Sequence, residues 1–475
     1  MVGSLHADEH YQILEFANYK RGLVVAKQLP WEFDARLRPA IQPTLAFIFL
    51  EFFEWIHLNN PFLQAFLFRL ISGGLFIYSS FRVYQILVSE LKSPFFQYLY
   101  FIFTFFLYFF PYIGVRFSSE NFSACFYMLA FANLYPVVQQ KANLTYQKAF
   151  QIGILFGTSF LFRYQAALMI LGLAVWLLVF HFQQIKYWLL MFSGFVLMIG
   201  IGILIDWWFY GKLVMSAWHY FYVNLMQGRA ASFGVEPWWW YFSMLDFKRL
   251  GLINGGLILL ICCFGIIKFK HPVSWVFFPF LIIHLLIAHK EMRFIFPILV
   301  YVPFMSCVSI QYLSDKIKQP LLVNTGLFLF LVINTFAFVG ASFNVYDNSI
   351  EIFKFIRTLP DKPIVINYNY IKEDLRFFYT LNDGSKDITP RFYKDKHNII
   401  IKTKEFPYID SIPKVPYSKD TLKFVVLDDW EQYNLKNRLK LAYDPESEFL
   451  KFINYNNWMH LGASKWKLYY LNAEQ

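Results

Sequence analysis

Long apolar runs separated by short polar breaks fill the chain up to about residue 344. The windows 93–115, 121–140, 164–185, 187–205, 271–289, 294–314 and 319–346 contain no Asp, Glu, Lys or Arg. Each is close to or above the ~20 mostly apolar residues needed to cross a bilayer. Window 250–267 is slightly shorter, 149–162 is short, and 63–81 is interrupted by Arg69. Together they predict an all-α multi-span membrane protein with about 10–11 transmembrane helices. Segment 41–57 carries Glu51 and Glu54. Intramembrane carboxylates are costly, so this segment is expected to be interfacial or re-entrant. Past residue 344 the pattern changes. Short β-rich runs at 364–366 and 424–427 each precede an acidic, helix-like stretch. Residues 1–343 are therefore expected to form a transmembrane domain, and 344–475 a soluble α/β domain.

Composition agrees with the pattern. Apolar residues make up 57% of the chain and charged residues 16%, against about 25% charged in soluble domains. Net charge is +11, but many basic residues lie in short loops beside spans. Anionic lipid and the positive-inside effect explain them better than nucleic acid does. The four cysteines, Cys125, Cys262, Cys263 and Cys307, lie within apolar windows. They read as packing residues, with no disulfide framework or metal site. The opening "MVGSLHADEH" is polar, which predicts no cleavable signal peptide. The basic loops 268–272 and 315–320 set the inner side. Alternation then gathers the unusual polar clusters, with the C-terminal domain, on the outer face.

Each cluster has a chemical and a plainer reading. In "HADEHYQILE", Asp8 can serve as a general base and Glu9 can support it. Asp8 can equally cap a helix, and His6, Asp8 and His10 are a third, metal-binding possibility. "LPWEFDARLRP" reads as an interfacial anchor at Trp31. Arg116, with Glu120 nearby, and Arg163 sit between apolar spans. There an arginine holds a partner or a phosphate, or snorkels to headgroups. The long loop after Asp206 carries Tyr210, Asn224 and Trp238. Its aromatic faces suit a sugar, an apolar chain or the membrane interface. In "HKEMRFIFP", His289, Lys290 and Arg293 offer donors to a phosphate, with Glu291 orienting one of them. Cations on an outer loop run against the positive-inside trend, so an anion site fits better than lipid anchoring.

Taken in order, these stretches resemble glycosyltransferase family 22, the α-mannosyltransferases of the dolichol-linked oligosaccharide and GPI-anchor pathways. "HKEMRFIFP" is similar to the family's His-Lys-Glu-x-Arg-Phe signature. "HADEHYQILE" resembles its His-Pro-Asp-Glu loop, with Ala7 in place of Pro. "LPWEFDARLRP", "VRFSSENF" and the loop through Asp206, Tyr210, Gly211, Asn224, Gly234, Pro237, Trp238 and Tyr241 resemble three further segments. The resemblance runs over roughly residues 6–345. It implies a GT-C fold and a polyprenyl (dolichyl-type) phosphate sugar as donor. A lipid-linked glycan is the implied acceptor. Transfer would invert the sugar, with no cofactor and no metal. It implies a site at the lumenal or periplasmic face of the endoplasmic reticulum or bacterial inner membrane. Asp8 takes the place of the base. Lys290 and Arg293, with His289 and Arg163, are then expected to hold the donor phosphate. Glu291, Arg116, Asp206, Tyr210, Asn224 and Trp238 would support them. Three other readings are weighed: another polyprenyl-phosphate sugar used on a bacterial glycan, a lipid or glycan transporter, and an inactive scaffold. A transporter should show internal repeats and mid-span charges. No repeat is evident, and the charges sit at span ends.

Overall fold

The computed structural model describes residues 9–181, 185–229, 231, 234–244, 247–317, 319–343 and 348–369. It also describes short C-terminal stretches (379–380, 386–387, 391–393, 399–404, 421–427, 439–444, 452 and 467–471). Asp8 and the acidic stretches that follow the two β-rich runs lie outside the described residues.

In chain order the early helices are α1 (Glu15–Lys20), α2 (Trp31–Ala35), α3 (Ile41–Trp55), α4 (Pro61–Leu87), α5 (Pro94–Phe106) and α6 (Phe110–Gly114). Next come α7 (Ser119–Val138), α8 (Tyr146–Phe162), α9 (Ala166–Phe180), α10 (Ile185–Tyr210), α11 (Ser216–Phe221), α12 (Trp240–Met244) and α13 (Phe247–Ile267). The series ends with α14 (Pro272–Leu286), α15 (Phe296–Leu299), α16 (Val302–Lys316), α17 (Pro320–Phe343) and α18 (Asn348–Ile356). Among the described residues, four helices are long and apolar enough to cross a membrane: Pro61–Glu90, Ser119–Val138, Ile185–Tyr210 and Val323–Phe343. Pro94–Phe106, Ala166–Phe180, Ile253–Ile267 and Pro272–Leu286 are shorter apolar helices.

Two windows differ from their straight-span reading. Window 93–115 breaks into α5 and α6, where Leu107 turns extended. Window 294–314 becomes Met292–Leu299 plus Val302–Lys316, bent by 61°. Pro297 and Pro303 stand near the starts of α15 and α16, where a missing N–H does least harm to a helix.

The chain divides into two compact units. One comprises Ala35–Thr44 and Leu67–Ala341; the other comprises Met1–Asp34, Leu45–Phe66 and Ser342–Gln475.

The first of these is the helical bundle. α8 packs on α7 and α10, α9 on α14, and α16 on α5 and α13. Side-chain caps start several helices: Ser118 accepts from the Asn121 N–H, Thr145 from Lys148 and His271 from Val273. All four cysteines are free thiols, two of them buried. Backbones of α8 and α10 meet at glycines, the usual device for close helix approach in membranes. A Cβ on Gly153 would stand 1.9 Å from the Met191 carbonyl oxygen, and one on Gly194 2.3 Å from that of Phe150. Gly153→Ala should therefore lower the melting temperature in detergent, by about 1–3 kcal/mol of stability as an overpacked contact. Gly200→Ala on the same α10 helix should not, since nothing lies within 4 Å of that Cβ.

The bundle has two polar ends. At one, Glu90 accepts from Tyr135 (2.6 Å) and contacts the His271 ring (3.2 Å), and Lys92 pairs with Asp315 (3.1 Å). At the other, α7 begins at Ser119 and α8 stops at Arg163. Along α7, Glu120 and Tyr135 are about 22 Å apart at 1.5 Å per residue. An apolar slab separates the two ends.

The second unit is α/β. Strands β1 (Ile364–Asn369), β2 (Tyr379–Thr380), β3 (Lys386–Asp387), β4 (Ile399–Lys404), β5 (Leu422–Leu427), β6 (Lys440–Tyr443) and β7 (Lys467–Tyr470) follow α18. Five form one sheet in the order β4-β1-β5-β7-β6. β1 runs parallel to β4 and β5, with Ile366 opposite Phe424. The two sequence-predicted runs are thus neighbouring strands. Ile364, Val365 and Ile366 are all buried, as expected of a parallel strand covered on both faces. The N-terminal segment of this unit enters through a π-helical turn, His10–Leu14, into α1. Arg21 pairs with both Glu51 (3.0 Å) and Glu54 on α3. This partner offsets the cost of two carboxylates on an otherwise apolar helix.

Candidate active site

In the bundle, three chain segments bring their charges to one place. Ser118 caps α7, which fixes Glu120 in its first turn. Arg163 ends α8, its backbone already extended (φ −150°, ψ 113°). The chain leaves α14 at Ile287, bends through 287–289, is extended again at Glu291, and turns at Met292–Ile295. Glu120 is the hub. Its Oε1 lies 2.9 Å from Arg163 Nη1 and 3.8 Å from Arg293 Nη1. Arg293 Nε also donates to Glu291, whose other oxygen lies 3.1 Å from His289 Nε2. Both guanidinium groups stand over the Phe294 ring, at 5.2 and 5.6 Å. Arg163, Arg293 and Glu120 are all more than nine-tenths buried. Buried charge of this kind persists only when paired. Arg163 Nη2 is buried with no hydrogen-bond partner, so the arginine carries a donor already desolvated. Tyr241 is buried nearby. Burial pushes its hydroxyl above the ordinary value, and the charges of Glu291 and Arg163 also act on it.

Lys290 is placed differently from its neighbours. Its Nζ donates to the carbonyls of Glu236 (2.9 Å) and Ile287 (2.5 Å), and the Ala288 carbonyl accepts from the Glu236 N–H (2.9 Å). An ammonium has three donors, and these carbonyls take two. Lys290 thereby ties the long loop to the 287–291 segment. Burial lowers its pKa from the ordinary lysine value.

The remaining sequence-predicted residues have the following surroundings. Arg116 is fully buried, its guanidinium 5.6 Å from the Tyr112 ring centre. Asp206 accepts from the Ala40 N–H (2.8 Å), and Tyr210 donates to the Arg38 carbonyl (2.8 Å). These two fasten residues 38–40 onto the end of α10. Asn224 donates to the Tyr220 carbonyl in its own turn (3.0 Å). Trp238 is exposed. Glu9, in the other unit, is half-buried with helical backbone angles. Among the described residues, no group of three or more His, Cys, Asp or Glu is arranged to hold a metal ion. Sequence reasoning noted Glu120 only as a neighbour of Arg116. The signal for its larger role was a lone carboxylate at the head of an apolar run.

Comparison with known proteins bears on what such a cluster serves. GPI alpha-1,2-mannosyltransferase 3 of Danio rerio is 31% identical over 138 residues, covering 27% of this chain and 25% of that protein. GPI mannosyltransferase 3 of Candida albicans is 26% identical over 295 residues, 62% of this chain and 57% of that protein. A Schizosaccharomyces pombe protein named as a probable Dol-P-Man:Man(7)GlcNAc(2)-PP-Dol alpha-1,6-mannosyltransferase is 25% identical over 240 residues, 49% of this chain and 43% of that one. The matched regions therefore span from a quarter to just over half of these relatives' lengths. The crystal structure of ArnT from Cupriavidus metallidurans bound to undecaprenyl phosphate aligns with a TM-score of 0.49 at 11% identity. That alignment covers 100% of this chain and 94% of that one. The long apolar helices and these membrane-enzyme relatives identify a multi-pass membrane protein. The model of the Alg9-like mannosyltransferase family matches residues 1–369, through every motif described above, and the chain belongs to that family.

Proposed function

We propose that the chain transfers mannose from a polyprenyl (dolichyl-type) phosphate to a lipid-linked glycan acceptor, inverting the sugar and using no metal. The carrying observation is the pair of buried arginines organised on Glu120 at one polar end of the bundle, in a member of a mannosyltransferase family. In this reading Asp8 takes the proton from an acceptor hydroxyl. The hydroxyl oxygen attacks sugar C1, and the C1–O bond to phosphate breaks. The lipid phosphate leaves with the electron pair. Arg163, Arg293, Lys290 and His289 face the charge that grows on that phosphate, and Glu9 hydrogen-bonds Asp8 or the acceptor. Preorganised donors aimed at developing charge usually contribute most of the rate gain in such a step. The site opens to the lumenal or periplasmic side, opposite the basic loops at 268–272 and 315–320.

Membranes expressing the chain, supplied with radiolabelled polyprenyl-phosphate mannose, should build label into a lipid-linked glycan. Label carried only from a different polyprenyl-phosphate sugar would replace mannose in the reading. No transfer from any donor would overturn it.

The pH profile tests Lys290 separately. Its charged form is lost as pH rises through a pKa below that of ordinary lysine. Transfer should therefore fall on the alkaline side before an ordinary lysine titrates. Lys290→Arg should move that limb upward, because arginine stays charged. A limb that stays in place would remove Lys290 from phosphate binding.

A further inference from the structure

The N-terminal segment and the C-terminal region meet in a second buried polar cluster, within the α/β unit. Glu15 is fully buried, and its Oε1 lies 2.8 Å from His10 Nε2. The same oxygen accepts the backbone N–H of Phe392 at 3.0 Å. The Phe392 group can only donate. A carboxylate can only accept, so His10 presents its Nε2–H to Glu15. The His10 ring lies parallel to Tyr393 (5.8 Å, 17°), and Tyr393 in turn packs on Phe62 at 5.0 Å. Arg391 donates to the Gln28 carbonyl (3.3 Å), so each residue of the turn Arg391–Tyr393 grips the N-terminal part of the chain. Gln12 is held as well, donating to Glu32 at 3.1 Å.

This is more machinery than a helix start needs. Glu9 shows no side-chain capping bond to the turn that follows it. The segment His10–Leu14 is nevertheless buried at every residue. A carboxylate at full burial is costly unless hydrogen bonds meet it, and Glu15 Oε2 has no hydrogen-bond partner. The sequence thus keeps a costly group whose bonds converge two residues from Asp8 and one from Glu9. We propose that Glu15, acting through His10, is a positioning residue for the Asp8–Glu9 pair, and that the turn Arg391–Tyr393 is the in-chain clamp that holds it. The C-terminal region is then a working part of the transferase and not an appendage. This rests on the mannosyltransferase reading for the role of Asp8; the clamp itself does not.

Two measurements on the full chain in detergent or membranes separate these ideas. The first is hydrogen exchange of the amides in 9–16 and 391–393. His10→Phe keeps the ring but loses the donor, and it should speed exchange in both segments while leaving the bundle helices unchanged. His10→Gln restores an N–H donor and should return exchange toward the parent chain. The second is kinetic. His10→Phe and Glu15→Gln should each lower kcat about 10–100-fold with the donor KM unchanged, and His10→Gln should recover most of it. Exchange that rises in one segment alone overturns the clamp, whatever the activity. Coupled exchange with unchanged kcat overturns the positioning role. Coupled exchange in a chain that transfers no sugar leaves the clamp standing and sinks the transferase reading instead.

Discussion

Asparagine at position 8 should lower transfer about 10²–10⁴-fold, the range supplied by a positioned general base. Asn matches Asp in shape and keeps one acceptor oxygen, but it takes up no proton at working pH. Binding of the donor lipid should persist, because the proposed phosphate contacts are those of Arg163, Arg293, Lys290 and His289. The check is a paired measurement: single-turnover transfer, and retention of a radiolabelled donor lipid by purified protein. A fall in kcat with retention intact fits a base. Loss of both would mean that Asp8 orders the donor site, and unchanged transfer would exclude Asp8 from the chemistry. Glu9→Gln should have a smaller effect, since Glu9 is assigned only a hydrogen bond.

Glutamine at position 120 should cost the most stability of any single change in the bundle. Glu120 lies 2.9 Å from Arg163 and 3.8 Å from Arg293, with all three buried. Removing one partner of a buried ion pair leaves uncompensated charge and costs about 3–5 kcal/mol. Glu120→Gln should melt well below the parent in detergent. Adding Arg163→Gln should recover much of the loss, as removing both partners of a buried pair is often nearly neutral. The double variant should still fail to transfer sugar, if Arg163 faces the leaving phosphate as proposed. A single variant as stable as the parent would mean that other groups carry the balance of Arg163 and Arg293.

Much of the bundle was legible in the sequence because a bilayer leaves little choice: backbone polar groups must pair within the segment, and uncharged windows betray helices. The breaks were less legible. Pro297 and Pro303 mark the bend in window 294–314, yet prolines also occur inside unbroken α7 and α14, at Pro136 and Pro279. The two core strands showed as apolar runs. Their order did not, because pairing of β1 with both β4 and β5 is a long-range fact. The cationic signature His289–Arg293 was visible as charge out of place. What the sequence withheld was the partnering. Nothing local joins Glu15 to the N–H of Phe392, which lies 377 residues away. Nothing marks Lys290 as bound to carbonyls, or Asp206 and Tyr210 as fasteners of residues 38–40.

The carboxylates around the arginines also act as rivals to any incoming anion. Glu120 and Glu291 already hold contacts on Arg163 and Arg293. A free phosphate ion arriving at these two arginines must displace a carboxylate already in contact. A phosphate carried on a long isoprenoid brings additional adhesion from its hydrocarbon tail, which shifts that contest in its favour. The resting pairing of these arginines thus works as a filter: inorganic phosphate should inhibit poorly, while lipid phosphates stripped of their sugar should inhibit well.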